Sequence, residues 1–434
     1  MTIADKTVSF RICVAGQITI DDLETDTDEI IRPGGTFYAA SVFSRLGDSP
    51  TMIAAIGGET QEPLAEAAKR GITALPIAVG ADPITYVISD ADELIQQRTK
   101  RFGPPVHSIS FVKELPQDAR FDAYLIYPVS LDAGVHLAQI ARESGALVCA
   151  DLQHDVSTLD EGRQLLELLD FVFISRSALF ALTDSASIEE ASAKVREVCK
   201  AILVVKMGLA GSLVFTSEMD VTFVPAYLAD FKMTVGAGDA FDAAFISRVL
   251  RGSSFSDAGT FASKIAAAVV ESADADPSAS ISEKTSLDKR TAVGNDPRKD
   301  APEIYVAGHF HSFPLREYIL HAASALENAG FKTFVPHRDG GIVGEEGVEA
   351  DEAFKADLDA LARAKGIVAL LDGAYRGGTY FEMGHGYCRS VPIIVWKTDE
   401  TLGISNMVRQ SAKLISNDLR QVINSTLEFC SDFQ

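Results

Sequence analysis

Residues 233–252 read MTVGAGDAFDAAFISRVLRG: the small residues Gly236, Ala237 and Gly238, then Asp239, then apolar residues at helical spacing (Phe241, Ala244, Phe245, Val249). Backbone N–H groups unobstructed by side chains, at a helix start whose dipole favours negative charge, make a cradle for an anion. Asp239 falls in the first turn, where a carboxylate facing a bound hydroxyl can take its proton as the oxygen attacks a phosphoryl group. The same letters also describe a plain helix start, because Asp is favoured there. A second constellation lies in 365–397, KGIVALLDGAYRGGTYFEMGHGYCRSVPIIVWK. Asp372 closes an apolar strand and Glu382 sits one turn into the next helix, the region where open α/β sheets collect ligands. One carboxylate there can attack an anomeric carbon while another carboxyl group, or the departing base, manages the proton. Thr379-x-x-Glu382 equally fits a capping box, in which the glutamate only returns a hydrogen bond to the helix start.

Other reactive side chains are less organised. Five of the eight histidines fall in the last third (His309, His311, His321, His337, His385), and His309-x-His311 invites a metal reading. No Cys or carboxylate is spaced to complete a tetrahedral site, so no metal is expected there. The five cysteines (Cys13, Cys149, Cys199, Cys388, Cys430) are scattered and odd in number, which fits buried thiols rather than disulfides or a zinc cluster. Trp396, within VPIIVW, reads as packing.

The elements that must hold these residues alternate strand and helix. VSFRICVAG, a helical stretch from Phe37 to Leu46 and TMIAAIG open the chain; EIYVAG, LREYILHAASALENAG and FKTFVP repeat the rhythm after residue 302. Between them, SASISEKTSLDKRTAVGNDPRKDA has no sustained apolar period and reads as a linker. The expected division is 1–276, a linker 277–302, and 303–434, in line with the two or three domains that 434 residues suggest. The composition, 47% hydrophobic and 23% charged, is that of a globular protein. A net charge of −22 argues against nucleic acid or anionic membrane as partner. Residues 303–434 carry 12 basic against 18 acidic side chains, hence −6, leaving −16 for residues 1–302, so neither part is basic. Any phosphate site must be local. No run reaches the roughly 18 to 20 apolar residues that span a bilayer, and the first residues do not resemble a signal peptide, so a cytoplasmic location is expected.

The first part resembles the ribokinase-like (PfkB-type) sugar and nucleoside kinases over most of residues 9–275. VAGQITIDD resembles the segment ending in a substrate-binding aspartate, here Asp21. RPGGTFYAASVFSRLG resembles the Gly-Gly turn and helix that contact the sugar, placing Gly34 and Gly35 at the substrate. ILVVKMGLAGSLVF, with Lys206, Gly208 and Gly211, resembles the stretch before the nucleotide site. The resemblance implies a three-layer α/β/α domain with a small lid, ATP and Mg2+ as cofactors, Gly236, Ala237 and Gly238 as anion hole, and Asp239 as base. The lid would be residues 84–103, whose Arg98, Lys100 and Arg101 form a basic cluster facing either phosphate or solvent. The chain departs from the family pattern at Ala39, where Asn is usual, and at Ser175-Arg176-Ser177-Ala178, where Asn-x-x-Glu organises magnesium. It departs again at Met233, where Asp is common.

The last part resembles the nucleoside 2-deoxyribosyltransferases, a family that includes deoxynucleoside monophosphate glycosidases, over residues 303–430. EIYVAGHFHS, AGFKTFVPHR, DEAFKADLDALARAKGIVALLDG and GGTYFEMGHGYCRSVPIIVW carry the likeness. It implies a Rossmann-like (flavodoxin-like) parallel sheet, no cofactor, Glu382 as nucleophile oriented by Tyr305, and Asp372 near base or sugar. It further implies Asp357 as another pocket carboxylate and close backbone approach at Gly308 and Gly378, with His309 in reach of substrate. Arg376 stands where transferases often carry Asp. With Arg316 it is a candidate for a 5′-phosphate, or else it faces solvent. Together the two resemblances imply a bifunctional enzyme of nucleoside or nucleotide metabolism acting on small molecules, and, because members of both families commonly assemble, a homo-oligomer. The alternative is an N-terminal ligand sensor or assembly module that regulates a C-terminal glycosidase.

Overall fold

The computed structural model describes residues 8–24, 29–58, 61–80, 82, 84–89, 97–102, 120–128, 130–153, 156–216, 220–230, 232–272, 287–310, 313–343, 348–372, 377–399 and 401–431. The chain forms two compact units. One comprises residues 1–207, 212–224 and 229–290; the other comprises residues 208–211, 225–228 and 291–434.

In the first unit the order is β1 (Arg11–Glu24), β2 (Glu29–Gly35), α1 (Thr36–Arg45), β3 (Ser49–Ile56), α2 (Gln61–Lys69), β4 (Thr73–Ala78), β5 (Thr85–Ser89), β6 (Gln97–Phe102) and β7 (Ala123–Ile126). It continues with α3 (Leu131–Ser144), β8 (Leu147–Asp151), α4 (Leu159–Leu166), β9 (Phe171–Ser175), α5 (Arg176–Thr183), α6 (Ile188–Val198) and β10 (Ile202–Lys206). Then come β11 (Ser212–Phe215), β12 (Val221–Val224), α7 (Ala237–Leu250) and α8 (Phe255–Val270). The main sheet runs β12-β11-β10-β9-β8-β7-β1-β3-β4 and is parallel from β10 to β4. Strands covered on both faces must be apolar throughout, and AYLI of β7 is buried at every position. The intervening helices start at side-chain caps: Thr158, Ser175, Ser187 and Ser254 each accept a backbone N–H of the first turn.

Strand β1 is 14 residues long and serves two sheets. Its first half pairs with β3 and β7. Its second half pairs antiparallel with β2 and parallel with β5, and β5 pairs antiparallel with β6. This small sheet occupies the stretch expected as a lid; the side chains of Arg98, Lys100 and Arg101 lie outside the described residues. Under the main sheet, α1, α7 and α8 close the core, where Phe245 meets Phe171, Phe173, Phe241 and Phe255 with ring centroids 5.6 to 6.4 Å apart. Phe245→Ala would open a cavity costing about 3–5 kcal/mol.

In the second unit, β13 (Ala226–Tyr227) pairs with β14 (Ala292–Val293). A five-stranded sheet follows, built from β15 (Glu303–Ala307), α9 (Phe313–Asn328), β16 (Lys332–Phe334), α10 (Ala350–Arg363), β17 (Gly366–Leu371), α11 (Gly377–Cys388), β18 (Ile393–Lys397), α12 (Asn406–Ser411), β19 (Leu414–Ser416) and α13 (Leu419–Cys430). All pairs are parallel and the order is β16-β15-β17-β18-β19, the flavodoxin-like 2-1-3-4-5 arrangement. The order reverses between β15 and β17, so a crevice forms beyond their carboxyl ends. Part of the stretch expected as linker is packed: Leu287, Val293 and Asn295 are buried and β14 lies within it, while residues 277–286 lie outside the described residues. Its apolar residues are too sparse to show a period, yet Leu287 packs into a hydrophobic cluster and Val293 pairs with Ala226. Among the described residues no helix is long and apolar enough to cross a membrane.

Candidate active sites

In the first unit the expected site residues come from β1, β2 and the start of α7. Antiparallel pairing sets Gly34 opposite Thr19 and Arg32 opposite Asp21. Asp21 is 1% exposed and accepts from Thr19 Oγ1 and from the Tyr38 hydroxyl, both at 2.7 Å. Glycine is required beside it, because a Cβ on Gly34 would stand 2.2 Å from the Asp21 carboxylate. Gly35 has φ +64°, and a Cβ there would meet the Gln17 carbonyl oxygen at 2.2 Å. Arg32, also buried, donates from Nε to the Tyr38 hydroxyl at 3.0 Å and from its terminal nitrogen to the Val235 carbonyl at 3.0 Å. Burial, and then the Asp21 charge, raise the Tyr38 pKa, so the phenol keeps its proton.

Val235 leads into Gly236, the N-cap of α7, whose φ of +89° is left-handed. A Cβ on Gly236 would lie 3.0 Å from the Tyr38 ring. Ala237, exposed Gly238 and partly buried Asp239 form the first turn, with Asp239 the acidic residue at the positive end of the helix. Beneath Gly238, Lys206 at the end of β10 bonds Asp151 Oδ2 at 3.0 Å and the two oxygens of Asp242 at 3.0 and 2.8 Å. Burial alone would lower the Lys206 pKa, but Asp151 and Asp242 outweigh it and hold the group as an ammonium. Tyr127, just after β7, is buried; burial and the charges of Asp239, Asp242 and Asp151 raise its pKa, and a hydrogen bond with Asp239 adds to the rise. Gly208 and Gly211 both have positive φ, +58° and +93°, around a short 3-10 turn, and group with the second unit.

Sequence reasoning named Asp21, the glycines, Lys206 and Asp239 but missed Thr19, Arg32, Tyr38, Tyr127, Asp151 and Asp242. Asp242 had a signal, since it follows Asp239 by three residues on one helix face. Thr19 had one too, since it precedes Asp21 by two residues on one strand face; the others are joined by tertiary pairing. At the start of α5, Ser175 caps the Ala178 N–H and Arg176 is half-buried, so the segment expected to organise magnesium supplies no carboxylate. The residues therefore fit the phosphates of a nucleotide at the start of α7. A magnesium ion would be held by phosphate oxygens and water, as is usual for this cation.

In the second unit the carboxyl ends of β15 and β17 and the start of α11 converge. Tyr305, fully buried on β15 with its ring stacked on Phe334 at 5.6 Å, donates to Glu382 Oε1 at 2.8 Å. The Glu382 carboxyl is buried although the residue keeps partial exposure. Burial raises its pKa to about 7, the Tyr305 hydrogen bond opposes that rise, and Asp357 adds to it. Burial likewise raises Asp357, on α10, to about 6. Its Oδ1 is buried without a partner and would lie 3.2 Å from a Cβ on Gly340. Asp372 follows β17 directly and is partly buried. Gly378, in the first turn of α11, has open space where a side chain would point. Gly308 does not: a Cβ there would strike Ile319 at 2.8 Å, so its missing side chain makes room for α9. Arg316 donates from Nε to the Phe310 carbonyl at 2.6 Å, and His309 lies partly buried in the same loop. Arg376 and His311 lie outside the described residues. His337, named in the sequence only as one of five scattered histidines, stacks on Phe310 at 5.3 Å with both ring nitrogens buried and unpartnered. Burial, then Arg316 and Arg338, lower its pKa and keep it neutral. Among the described residues no group of three or more His, Cys, Asp or Glu could hold a metal.

A largely parallel sheet flanked by helices, with a small second sheet built on the far half of its interior strand β1 and a Gly-Ala-Gly-Asp helix start, defines a ribokinase-like kinase domain. The model of the pfkB family carbohydrate kinases matches residues 32–281, and that of the nucleoside 2-deoxyribosyltransferases matches residues 304–422. The first match spans more than half of the chain, which therefore belongs to the pfkB family, with a nucleoside deoxyribosyltransferase-like domain fused behind the kinase domain. A nucleoside kinase of Methanothermobacter thermautotrophicus is 24% identical over 250 residues, covering 56% of this chain and 79% of that protein. Among solved structures, Arabidopsis thaliana ribokinase complexed with ribose and ATP is 20% identical with a TM-score of 0.52, over 65% of this chain and 100% of that one. Aminoimidazole riboside kinase from Salmonella enterica, complexed with aminoimidazole riboside and an ATP analogue, is 19% identical with a TM-score of 0.53, over 64% and 99%. These structures share the fold of the first unit.

Proposed function

We propose that the chain is a bifunctional enzyme of nucleoside or nucleotide metabolism, in which the first domain phosphorylates a sugar or nucleoside from ATP and the second cleaves or transfers an N-glycosidic bond. The observation that carries the second activity is the Tyr305–Glu382 pair, a carboxylate oriented by a buried phenol at 2.8 Å. Glu382, about half ionised near pH 7, attacks the anomeric carbon. Asp357, raised to about 6, is the second carboxyl group of the pocket and handles the proton of the departing base. Water or a second base then resolves the glycosyl ester. In the first domain Asp21, bonded by Thr19 and Tyr38, keeps lone pairs for ligand hydroxyls, and Gly34 leaves them room. The amides of Gly236, Ala237 and Gly238 face the transferring phosphate, and Asp239 takes the proton of the attacking hydroxyl. ATP bound at this turn would supply the phosphoryl group, and magnesium held by its phosphates and water would screen the charge.

One assay tests both halves: nucleosides and 5′-monophosphates incubated with and without ATP–Mg2+, with free base and phosphorylated product followed together. Asp239→Asn is expected to abolish ATP-dependent phosphorylation and Glu382→Ala to abolish base release. Phosphorylation that survives Asp239→Asn removes the base role, and base release that survives Glu382→Ala removes the nucleophile. A second reading, a sensor domain regulating the glycosidase, is favoured by the carboxylate-free segment Ser175–Ala178. It predicts no phosphorylated product, with base release that responds to ATP.

A further inference from the structure

Tyr38 touches both halves of the kinase site. Its hydroxyl lies 2.7 Å from Asp21 Oδ2, and its ring lies 3.0 Å from where a side chain on Gly236 would begin. Arg32 reaches the same two places, bonding the Tyr38 hydroxyl and the carbonyl of Val235, each at 3.0 Å. The polarity of this chain is forced. A guanidinium only donates and an ionised carboxylate only accepts, so Tyr38 must accept from Arg32 and donate to Asp21. Asp21, Tyr38 and Arg32 are 1%, 4% and 8% exposed, so water cannot readily replace a broken link, and each break leaves a buried polar group unsatisfied. The negative charge of Asp21 and the positive charge of Arg32 balance across the phenol.

We infer that Arg32 and Tyr38 are positioning residues that join the acceptor carboxylate Asp21 to the backbone entering the anion cradle, so that acceptor and nucleotide bind cooperatively. This rests on the kinase reading above. A hydroxyl arriving at Asp21 shares its oxygens with Tyr38 and holds that carboxylate in place. The order passes through the phenol and guanidinium to Val235 and the turn at Gly236, which lowers the ordering cost of binding phosphate there. Linkage makes the effect reciprocal.

The test is an initial-rate matrix of D-ribose, adenosine, inosine and cytidine, each against ATP–Mg2+, for the wild-type chain, Tyr38→Phe and Arg32→Lys, with thermal unfolding of each. In the wild type, saturating acceptor should lower the KM for ATP by about fivefold or more, the usual scale of coupling between sites. Tyr38→Phe should bring that ratio close to one while the ATP affinity without acceptor stays within about twofold. Arg32→Lys keeps the charge but cannot serve the phenol and the carbonyl together, so it should lose the ratio too. A purely structural role would weaken both substrates and leave the ratio intact. The inference is overturned if the wild-type ratio is one or if a folded variant keeps the wild-type ratio. Should Tyr38→Phe fail to fold, Arg32→Lys decides. If the wild type phosphorylates none of the four acceptors, the kinase reading fails and this inference with it, a result visible in the wild-type rows alone.

Discussion

Replacing Tyr305 by Phe removes one hydroxyl and keeps the ring on Phe334, so it isolates the hydrogen bond to Glu382. Hydrogen bonds to a charged group contribute about 1.5–3 kcal/mol, and one pKa unit corresponds to about 1.4 kcal/mol. The bond favours ionised Glu382, whose pKa is about 7 with it in place. Without it the pKa should rise by about one to two units. Since the nucleophile must be ionised, the ionised fraction at pH 7 drops from about one half to between roughly a tenth and a hundredth, slowing base release about 5- to 50-fold. At pH 9 much of the loss should be recovered. The assay is the pH dependence of base release from a deoxynucleoside, comparing the acid limb of kcat/KM in both proteins. An acid limb that stays where it was, with the rate depressed equally at all pH values, would refute the assignment of Glu382 as the titrating nucleophile held ionised by Tyr305.

Three further expectations follow from the same contacts. Because the Glu382 pKa is raised in the folded state, its contribution to stability is full below the unfolded value of 4.5 and is lost as pH climbs through about 7, a change of about 3 kcal/mol. Glu382→Gln should therefore stabilise the second domain at pH 8 and not at pH 4, read by the fluorescence of Trp396, which is buried on β18; equal effects at the two pH values would contradict the shift. Lys206→Met should leave Asp151 and Asp242 buried without their cation and cost about 3–5 kcal/mol, measured by calorimetry, and an unchanged transition would mean the triad is solvated. Gly34→Ala should abolish acceptor binding at Asp21 with ATP binding retained, since the new methyl meets the carboxylate; normal acceptor KM would place the acceptor elsewhere.

Much of this was legible in the residues. Apolar runs such as GIVALL announce buried parallel strands, and the turn at Gly236 and the helix carrying Glu382 stand where their letters place them. What local pattern cannot show is which side chains meet across the fold. Arg32 and Val235 are 203 positions apart, and no spacing rule connects them. Lys206 invites a nucleotide role by position, yet its ammonium is engaged by Asp151 and Asp242, a partnership set by the ends of β8 and β10 and by α7. Gly308 is expected to allow close backbone approach, and the sequence does not show that Ile319 occupies the space a side chain there would need.

Strand β1 acts as a ruler. Its early residues are locked between β3 and β7 while Asp21 projects from the far half, five positions beyond Gly16 or roughly 16 Å of extended chain. A single inserted or deleted residue between them would turn Asp21 to the opposite face of the small sheet. Among the described residues, β5 and β6 pair only with each other and with the distal half of β1, so the central sheet does not set their register directly. If Asp21 is the acceptor carboxylate, change accumulated in β5 and β6 leaves its position untouched, because that position is fixed by the register of the central sheet.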